Sequence, residues 1–400
     1  MPTRPVPVEP GDPQEIARSL AAAFENEHGR APDGVYAAPG RVNLIGEHLD
    51  YNGGRVLPIA LPHACYVASG RRTDDIVTVR SLQAEDTWEG RPDDVAPGAQ
   101  SGYPGYSGYP GYTAYVAGVL WALREDGFEV PGLDLLVDGR VPLGAGLSSS
   151  AALEVSVALA AGVPHTPDVR ERVVAACMRA ENEIVGAPTG GMDQAIAVFA
   201  SPEHALLIDF ATGDRRDVPW DPASADVALL VFDTRVQHTL SDGSYGDRRS
   251  ESAAAARALG VDALAEATRE AVEQLDDDTL RRRARHVVTE QERVGAAVAA
   301  LEAGDYMTVG TLFAASHVSM RDDYEISCEE LDVVVETALA AGAVGARMTG
   351  GGFGGSAIAL VPTDRVELVE HAVGGAFAER SWDKPAVLEA PASGPASRLL

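Results

Sequence analysis

The spacing of apolar residues predicts helices and strands along most of the chain. From Glu15 to Glu27, Ile16, Leu20 and Phe24 fall on one helical face, which predicts a first helix. Short apolar runs after it predict strands, and a helix at 113–125 interrupts them. The strands predicted in this part are Val35–Ile45, Val56–Leu61, Cys65–Ser69, Ile76–Leu82 and Leu133–Val137.

The rest of the chain follows a similar pattern with more helix. Leu280, Val287, Val294 and Leu301 mark one long helix, and we expect its charged run Arg281–Arg283 to form a solvated face. Because strands precede helices without strict alternation, the fold class is predicted to be α+β. The other predicted elements are helices Val169–Val185, 305–320, 327–341 and 364–378, and strands Ala205–Phe210, Val227–Phe232 and Ser356–Val361.

The length of 400 residues exceeds one typical domain and suits two lobes. Ala211–Ala225 is polar and contains prolines between two apolar strands, so we expect the chain to cross between lobes there. The predicted division is an N-terminal lobe at 1–210 and a C-terminal lobe at 211–400.

Composition excludes several function classes. The formal net charge is −28, and binding to nucleic acid or to an anionic membrane surface needs clustered Lys and Arg, so neither partner is expected. Lys384 is the single lysine of the chain. A GxxxxGK[ST] phosphate loop and the strand lysine of protein kinases are therefore both excluded.

Cysteine usage and the N-terminus bear on location. The three cysteines are widely separated, with no CxxC or metal-ligand spacing, and we expect reduced, buried thiols. The first ten residues lack an apolar leader segment, and no apolar run approaches the length of a membrane span. These features predict a cytoplasmic protein.

The segment Pro142–Ala152, PLGAGLSSSAA, is the strongest candidate for chemistry. Its glycines let backbone N–H groups approach a ligand, and the helical pattern that follows supplies the positive end of a helix dipole. That combination suits a polyphosphate. A capped helix start would give a similar pattern, so the segment needs support from elsewhere.

Two distant segments supply that support. Ala38–Gly54, APGRVNLIGEHLDYNGG, sets Arg, Glu, His and Asp among apolar residues, and buried polar groups are costly without partners. Arg347–Leu360, RMTGGGFGGSAIAL, places a Gly/Phe run before an apolar strand pattern. Such a run favours close approach to another backbone or to a ligand. We expect it to pack beneath the phosphate loop and to wall a ligand pocket.

In chain order, these three segments resemble the signature motifs of the GHMP family of small-molecule kinases. GRVNLIGEHLDYNGG is similar to the signature of the galactokinase branch in particular, and GGMDQ at Gly190–Gln194 and the segment Val236–Arg249 extend the resemblance. The resemblance implies a two-lobed GHMP kinase fold, with mixed and antiparallel sheets, packed helices and a site in the cleft between lobes. It also implies ATP and Mg²⁺ as cofactors and transfer of phosphate to the anomeric hydroxyl of galactose.

The resemblance also implies roles for individual residues. Asp193 and Arg41 are the implied catalytic residues, and Ser150 and Glu181 the implied ligands of Mg²⁺. The implied sugar-binding residues are Glu47, His48, Asp50, Gly190 and Tyr245. The implied nucleotide-binding residues are Gly144, Ala145, Gly146, Leu147, Ser148, Ser149, Ser150 and Tyr115.

The residue types suit these roles. Carboxylates accept several hydroxyl hydrogen bonds, so a site rich in them penalises sugar epimers that leave an oxygen unpaired. A guanidinium beside an aspartate favours the ionised form and makes it a weaker base. We therefore hypothesise that Asp193 orients the hydroxyl and accepts its proton late, while Arg41 stabilises charge on the transferring group.

The sequence leaves some points open. Relatives commonly have a cationic residue near Gln237 and His238, and some have tryptophan at the position of Tyr112, so affinities are expected to differ here. Residues 101–112, SGYPGYSGYPGY, read as a flexible low-complexity insertion. An N-acetylgalactosamine kinase, another sugar 1-kinase and a non-catalytic galactose/ATP sensor remain alternatives. The expected partners are the sugar and ATP, and the expected state is a monomer.

Overall fold

The computed structural model describes residues 4–97, 111–164, 166–187, 189–236 and 244–400. In this part of the chain, helices and sheets are both extensive and the sheets are largely antiparallel, which confirms the α+β class. No helix there is both long enough and apolar enough to span a bilayer. The Gly-Tyr units at 101–110 and the pair Gln237 and His238 lie outside the described residues.

One sheet carries the first signature segment. Its order is β14-β2-β4-β7-β5-β6, antiparallel except for the parallel pair β5 and β7. Helix α1 packs on one face through Leu20 and Phe24, and α3 and α5 pack on the other. The strands are β2 (Gly34–Asn43), β4 (Pro58–Arg71), β5 (Val77–Ser81), β6 (Trp88–Gly90), β7 (Leu133–Gly139) and β14 (Ser397–Arg398). The helices of this region are α1 (Pro13–His28), α2 (Tyr112–Glu125), α3 (Ser149–Ala160), α4 (Pro167–Arg179) and α5 (Met192–Phe199).

A second large sheet carries the third segment. Its order is β1-β13-β10-β12-β11, with the fully buried β10 at its centre. The strands are β1 (Val6–Pro7), β10 (Val227–Asp233), β11 (Gly345–Thr349), β12 (Ser356–Pro362) and β13 (Ala386–Glu389). The helices of this region are α6 (Ser244–Leu259), α7 (Arg269–Val272), α8 (Asp278–Glu302), α9 (Tyr306–Asp322), α10 (Glu329–Ala340) and α11 (Val366–Glu379).

A small sheet joins β3 (Arg55–Val56) to the hairpin of β8 (His204–Asp209) and β9 (Arg215–Pro219). Strand β9 lies within the segment Ala211–Ala225, where the chain was expected to cross between lobes, and the crossing itself stays a prediction. Most side chains of β9 are exposed or half-buried, and a polar strand gives no apolar alternation to detect. The division at residue 210 falls in the turn of this hairpin and stays a prediction.

Three sequence predictions need correction. The strands predicted at Val56–Leu61 and Cys65–Ser69 are, from residue 58 onward, one strand, β4, which pairs with β2 on both sides of a register shift at residues 61–63. Arg283, predicted to be solvated, is buried and forms ion pairs with Glu251 and Glu325.

The two ends of the chain pair with different large sheets. The C-terminal strand β14 pairs with β2, whereas the N-terminal strand β1 pairs with β13. The C-terminal segment therefore links the two large sheets, since β13 belongs to one and β14 to the other. Its sequence did not indicate this role.

Candidate functional site

At a β-bulge of β4 opposite Gly40 of β2, the first signature segment lies against the phosphate loop. The register with β4 shifts between Pro39 and Arg41, and the Arg41 N–H donates to the Leu147 carbonyl over 3.0 Å. Gly40 permits this approach, since a Cβ there would lie 2.7 Å from the Leu147 oxygen. The buried Arg41 side chain continues along the loop, and its Nη1 donates to the Gly146 carbonyl over 2.5 Å.

Arg41 and Asp193 form a bidentate ion pair. Arg41 Nε lies 2.8 Å from Asp193 Oδ1, and Nη2 lies 2.7 Å from Oδ2. The Ser148 hydroxyl donates to the same Oδ2. Asp193 stands in the first turn of α5, and its side chain keeps 22% of its surface exposed. Three distant segments thus meet at one carboxylate that still faces open space.

The phosphate loop alternates anchored and open positions. Ala145 and Leu147 are buried, whereas Gly144 and Gly146 are exposed. Gly144, Gly146 and Ser148 all have left-handed backbone, with φ of 74°, 70° and 59°. Helix α3 begins at Ser149, and the first N–H groups of a helix have no partner inside it. The loop therefore presents backbone and the positive helix end to an anion.

The third segment packs beneath this loop, as the sequence predicted. A Cβ at Gly350 would lie 3.1 Å from the Gly146 oxygen, and one at Gly355 would lie 3.1 Å from the Ala145 oxygen. The Ser356 hydroxyl donates to the Ala145 carbonyl over 2.7 Å. Glycine in this run is thus explained by close backbone packing against the phosphate loop.

Glu181 lies in a buried cluster beside Ser150. The Ser150 hydroxyl donates to Glu181 Oε1 over 3.0 Å, and Thr189 Oγ1 and Gln194 Nε2 each donate to Oε2 over 2.7 Å. Gln194 Nε2 also donates to the buried Glu154 over 3.0 Å. Glu181 occupies a π-helical turn, Ala180–Val185, that extends α4; such turns recur at functional sites.

The electrostatics of this cluster favour a cation. Burial raises the pKa of Glu181, and the charge of Asp193 raises it further. Burial and the charge of Glu181 also raise the pKa of Glu154 well above its usual range. In the described part of the chain, neither carboxylate has an ion pair, and no three His, Cys, Asp or Glu side chains converge as a metal cluster.

Asp50 lies within electrostatic reach of Asp193, in a region that we call the pocket. Burial, followed by the charge of Asp193, raises the pKa of Asp50 to about 6. Burial, followed by the charges of Asp50 and Asp193, also raises the pKa of Tyr245 well above its usual range. Gly190 packs directly on the Asp50 side chain. Asp50, Gly190, Tyr245 and Asp193 therefore share one pocket.

Glu47 is held by the third segment. Its carboxylate forms an ion pair with Arg347 and accepts from Thr349 Oγ1 over 3.3 Å and from the Gly350 N–H over 3.2 Å. Arg347 is 0% exposed, and its Nη1 donates to the Leu44 carbonyl over 2.6 Å. This network fixes Glu47 below the pocket.

A second acid shares Arg347 with Glu47. Glu290, in α8, lies 3.6 Å from Arg347 and accepts from the Gly46 N–H over 3.0 Å. Arg293 and Ser316 also bond to it, each over 2.6 Å. Sequence analysis missed Arg347 although it opens the third segment, and it missed Glu290 because no local pattern links α8 to the signature.

Both ring nitrogens of His48 have protein partners. Nδ1 lies 2.6 Å from the Tyr51 hydroxyl, and Nε2 lies 3.2 Å from the Gly351 carbonyl. Burial lowers the pKa of His48 to about 3, so the imidazole is neutral. Its ring stands 5.1 Å from that of Tyr245, which makes it part of the pocket wall.

Tyr115 lies in the first half of α2 and is half-buried. Helix α2 packs against α3, the helix that begins at the phosphate loop. Its proposed place beside adenine stays a prediction. Tyr112, at the start of the same helix, donates its hydroxyl to the Asp86 carbonyl over 2.6 Å.

Family models match most of the chain. Residues 22–71 match the galactokinase galactose-binding signature, residues 114–201 the GHMP kinase N-terminal domain, and residues 297–379 the GHMP kinase C-terminal domain. These matches contain the bulge opposite Gly40, the phosphate loop and the glycine run.

Whole proteins match over nearly the full length. The galactokinase of Streptomyces coelicolor is 48% identical over 97% of this chain and 100% of its own. That of Mycobacterium tuberculosis is 44% identical over 88% of this chain and 95% of its own.

Solved structures agree with the sequence matches. The crystal structure of Lactococcus lactis galactokinase complexed with galactose superposes with a TM-score of 0.86 at 31% identity, covering 96% of this chain and 99% of that one. The Methanococcus jannaschii mevalonate kinase, at 14% identity and a TM-score of 0.64 over 90% of this chain and 98% of its own, shares the fold. The signature segments assemble around one pocket, and the chain is 48% identical to a galactokinase over 97% of its length. The chain belongs to the galactokinase family of GHMP kinases.

Proposed function

We propose that this protein transfers the γ-phosphoryl group of ATP to the anomeric hydroxyl of D-galactose, giving α-D-galactose 1-phosphate and ADP. The observation that carries the proposal is the bidentate pair of Arg41 and Asp193 at the edge of the phosphate loop. It sets a hydrogen-bond acceptor for a hydroxyl beside a cationic group for the transferring phosphate. Family membership supports the same reaction, with ATP as the phosphate donor.

Asp193 has the contacts of an orienting carboxylate. Arg41 and Ser148 together supply three hydrogen bonds to its oxygens and fix the orientation of the carboxylate. Phosphoryl transfer needs positioning and charge stabilisation more than early proton removal. Asp193 therefore holds the sugar hydroxyl in line and takes its proton as the bond to phosphorus forms.

Arg41 and the phosphate loop act on the other reactant. The exposed glycines and the N-terminus of α3 receive the phosphate oxygens, and Tyr115 is assigned to the adenine side. The Arg41 guanidinium is already oriented by Asp193 and Gly146, so it stabilises developing charge without reorganising. The loop residues Gly144, Ala145, Gly146, Leu147, Ser148, Ser149 and Ser150 form this cradle.

We assign a Mg²⁺ site to Ser150 and Glu181. Mg²⁺ prefers a few hard oxygens and keeps several waters, which suits one hydroxyl beside one carboxylate at the phosphate loop. Glu181 and Glu154 are two buried acids without an ion pair in the described chain, and they fit an added cation. When bound, the ion neutralises charge on the phosphates.

The sugar is assigned to the pocket above Glu47. Asp50 and Glu47 accept its hydroxyl hydrogen bonds, the Gly190 backbone borders it, and the rings of His48 and Tyr245 form its wall. Carboxylates held in place by protein partners favour one arrangement of hydroxyls, because an epimer leaves a buried oxygen unpaired.

We assign a monomer as the active state. The free thiols of Cys65, Cys177 and Cys328 support a cytoplasmic location, since disulfides are rare in reducing compartments. Size-exclusion chromatography with light scattering tests the first assignment.

A coupled ADP assay across galactose, glucose, N-acetylgalactosamine and arabinose tests the proposal. Galactose-dependent ADP release, with the other sugars at least about tenfold poorer in kcat/KM, is the expected result. A preference for N-acetylgalactosamine would replace galactose as the assigned acceptor. Galactose and ATP binding without ADP release would identify a sensor and overturn the proposal.

A further inference from the structure

We propose that Tyr51 and Tyr324 are positioning residues for the sugar pocket, acting through one directed chain of hydrogen bonds that fixes His48 and holds Gly351 of the third segment against Tyr245. The inference rests on the proposed function, because that proposal assigns the His48 and Tyr245 wall to the sugar.

The chain of contacts runs between the two signature segments. The Ser252 hydroxyl lies 2.6 Å from the Tyr324 hydroxyl, which lies 3.0 Å from the Tyr51 hydroxyl. Tyr51 in turn lies 2.6 Å from His48 Nδ1, and His48 Nε2 lies 3.2 Å from the Gly351 carbonyl. Ser252 and Tyr324 are fully buried, His48 is buried, and Tyr51 is half-buried.

The acceptor at one end sets the direction of every bond. A carbonyl cannot donate, so a neutral His48 bonds to Gly351 only with its proton on Nε2. Its Nδ1 then carries a lone pair and must accept from the Tyr51 hydroxyl. This assignment of the tautomer follows from the hydrogen-bond network.

The remaining bonds follow in sequence. Since the single Tyr51 proton is used on His48, its oxygen accepts from Tyr324. The Tyr324 oxygen accepts from Ser252 for the same reason. Each hydroxyl therefore has one role, and removing one leaves a buried neighbour unpaired.

The elements joined by this chain are far apart in sequence. Ser252 lies in α6, Tyr324 follows α9, Tyr51 lies in the 3-10 turn Asp50–Asn52, and Gly351 lies in the glycine run. These hydrogen bonds thus link the sugar signature to the second large sheet and its helices. They do so within the wall of the pocket.

The backbone of His48 shows that its place is imposed. Its φ is 63°, in the left-handed region that a residue with a Cβ rarely adopts. Asn52 Nδ2 donates to the His48 carbonyl over 2.7 Å and holds this turn. Strained backbone of this kind persists where surrounding contacts determine it.

This chain of hydrogen bonds determines the position of the pocket wall. The His48 ring lies 5.1 Å from Tyr245, and a Cβ at Gly351 would lie 3.5 Å from the Tyr245 ring. Both ring nitrogens of His48 are held by protein partners, which fixes the orientation of the ring. His48 therefore positions the wall, and Tyr51 and Tyr324 position His48.

Tyr51→Phe and Tyr324→Phe, each removing one hydroxyl, test the inference against Tyr306→Phe. Tyr306 is a matched control, because it is a buried tyrosine whose hydroxyl accepts the Asp221 N–H over 2.9 Å and lies outside the chain of bonds. Two readouts are needed: KM for galactose against KM for ATP, and imidazole ¹⁵N shifts, with His48 assigned by comparison with His48→Asn.

In the parent protein, the shifts should show His48 protonated on Nε2. Tyr51→Phe should raise KM for galactose about tenfold, leave KM for ATP within about twofold, and move the Nδ1 resonance, since one buried hydrogen bond is lost. Tyr324→Phe should have the smaller effect of the two, because Tyr51 keeps its proton for His48. Tyr306→Phe should change neither readout.

The inference is overturned if His48 is protonated on Nδ1, or if both pocket variants match Tyr306→Phe in their galactose KM. An equal rise in both KM values would show a general loss of structure and would also overturn it. Failure of the proposed function has a separate sign, because the parent protein would then release no ADP with galactose. In that case the ¹⁵N shifts still determine the direction of the hydrogen bonds.

Discussion

Gly190 leaves no space for a side chain beside Asp50. A Cβ at Gly190 would lie 2.9 Å from Asp50 Cβ and closer still to the carboxylate. Because Gly190 does not have left-handed backbone, the contact alone requires glycine. This contact joins the GGMDQ segment to the sugar signature.

Gly190→Ala should therefore displace the Asp50 carboxylate and raise KM for galactose about tenfold or more, since a misplaced acceptor leaves a hydroxyl unpaired. Steady-state kinetics measures this. Gly375→Ala in α11 is the matched control, because open space surrounds that position, and it should leave kinetics unchanged. Unchanged galactose kinetics in Gly190→Ala would contradict the assignment of Asp50 to the sugar.

Asp50→Asn should stabilise the protein while weakening galactose binding. The pKa of Asp50 is raised from 3.8 to about 6, so the folded state holds its proton more tightly than the unfolded state does. Stability therefore falls as pH rises from about 4 to about 6, and the ionised group costs up to about 3 kcal/mol above that window. Denaturation by urea should show the gain for Asp50→Asn at pH 7.5 and its disappearance near pH 4. A variant less stable than the parent at pH 7.5 would refute this account.

The same pKa predicts a pH effect on the sugar. Protonation of Asp50 removes an acceptor, so KM for galactose should rise as pH falls below about 6. In Asp50→Asn this rise should be absent. A galactose KM that is flat from pH 7.5 to pH 5 in the parent protein would show that the ionised form is not required.

Much of the site could be predicted because glycines and polar groups stood among apolar residues. Buried polar groups in the segment Ala38–Gly54 need hydrogen-bond partners. Arg41 of that segment finds its partner in Asp193, which Ser148 of the phosphate loop also contacts. The packing of Gly350 against Gly146 follows from the same kind of argument, since a glycine run indicates close backbone contact.

The remaining features depend on contacts that no local pattern encodes. Glu290 reaches Arg347 from a helix whose own pattern is fully explained by packing. Arg283 resembles its neighbours in sequence but is buried, with Glu251, Glu325 and the Asp323 carbonyl as its partners. The π-helical turn at Glu181 continues an ordinary helical pattern.

Arg347→Met should destabilise the protein strongly. It leaves Glu47 with an uncompensated charge in a buried site, and breaking such a pair costs about 3–5 kcal/mol. Arg216→Met is the control, because its partner Glu302 is exposed and such surface pairs contribute about 0–1 kcal/mol. Urea denaturation measures the loss in the free energy of unfolding for each variant. Equal losses in the two variants would show that the Arg347 network does not stabilise the fold.

Glu181→Gln should weaken the dependence on Mg²⁺. Calorimetric titration of ATP with and without Mg²⁺ should show at least a tenfold smaller gain from the ion than in the parent protein, because a charged oxygen ligand is lost, on the order of 1.4 kcal/mol. Glu183→Gln is the neighbouring control, since Glu183 is exposed and pairs with Arg179. If the two variants gain equally from Mg²⁺, Glu181 is not a ligand.

The turnover of Asp193→Asn tests the central claim most directly. Asn keeps the shape of the side chain but loses the charge that Arg41 and Ser148 hold in place, so ADP release should be abolished while galactose binding stays within about tenfold of the parent value. Asp217→Asn, at an exposed position of β9, should be fully active. Normal galactose-dependent ADP release by Asp193→Asn would contradict the account.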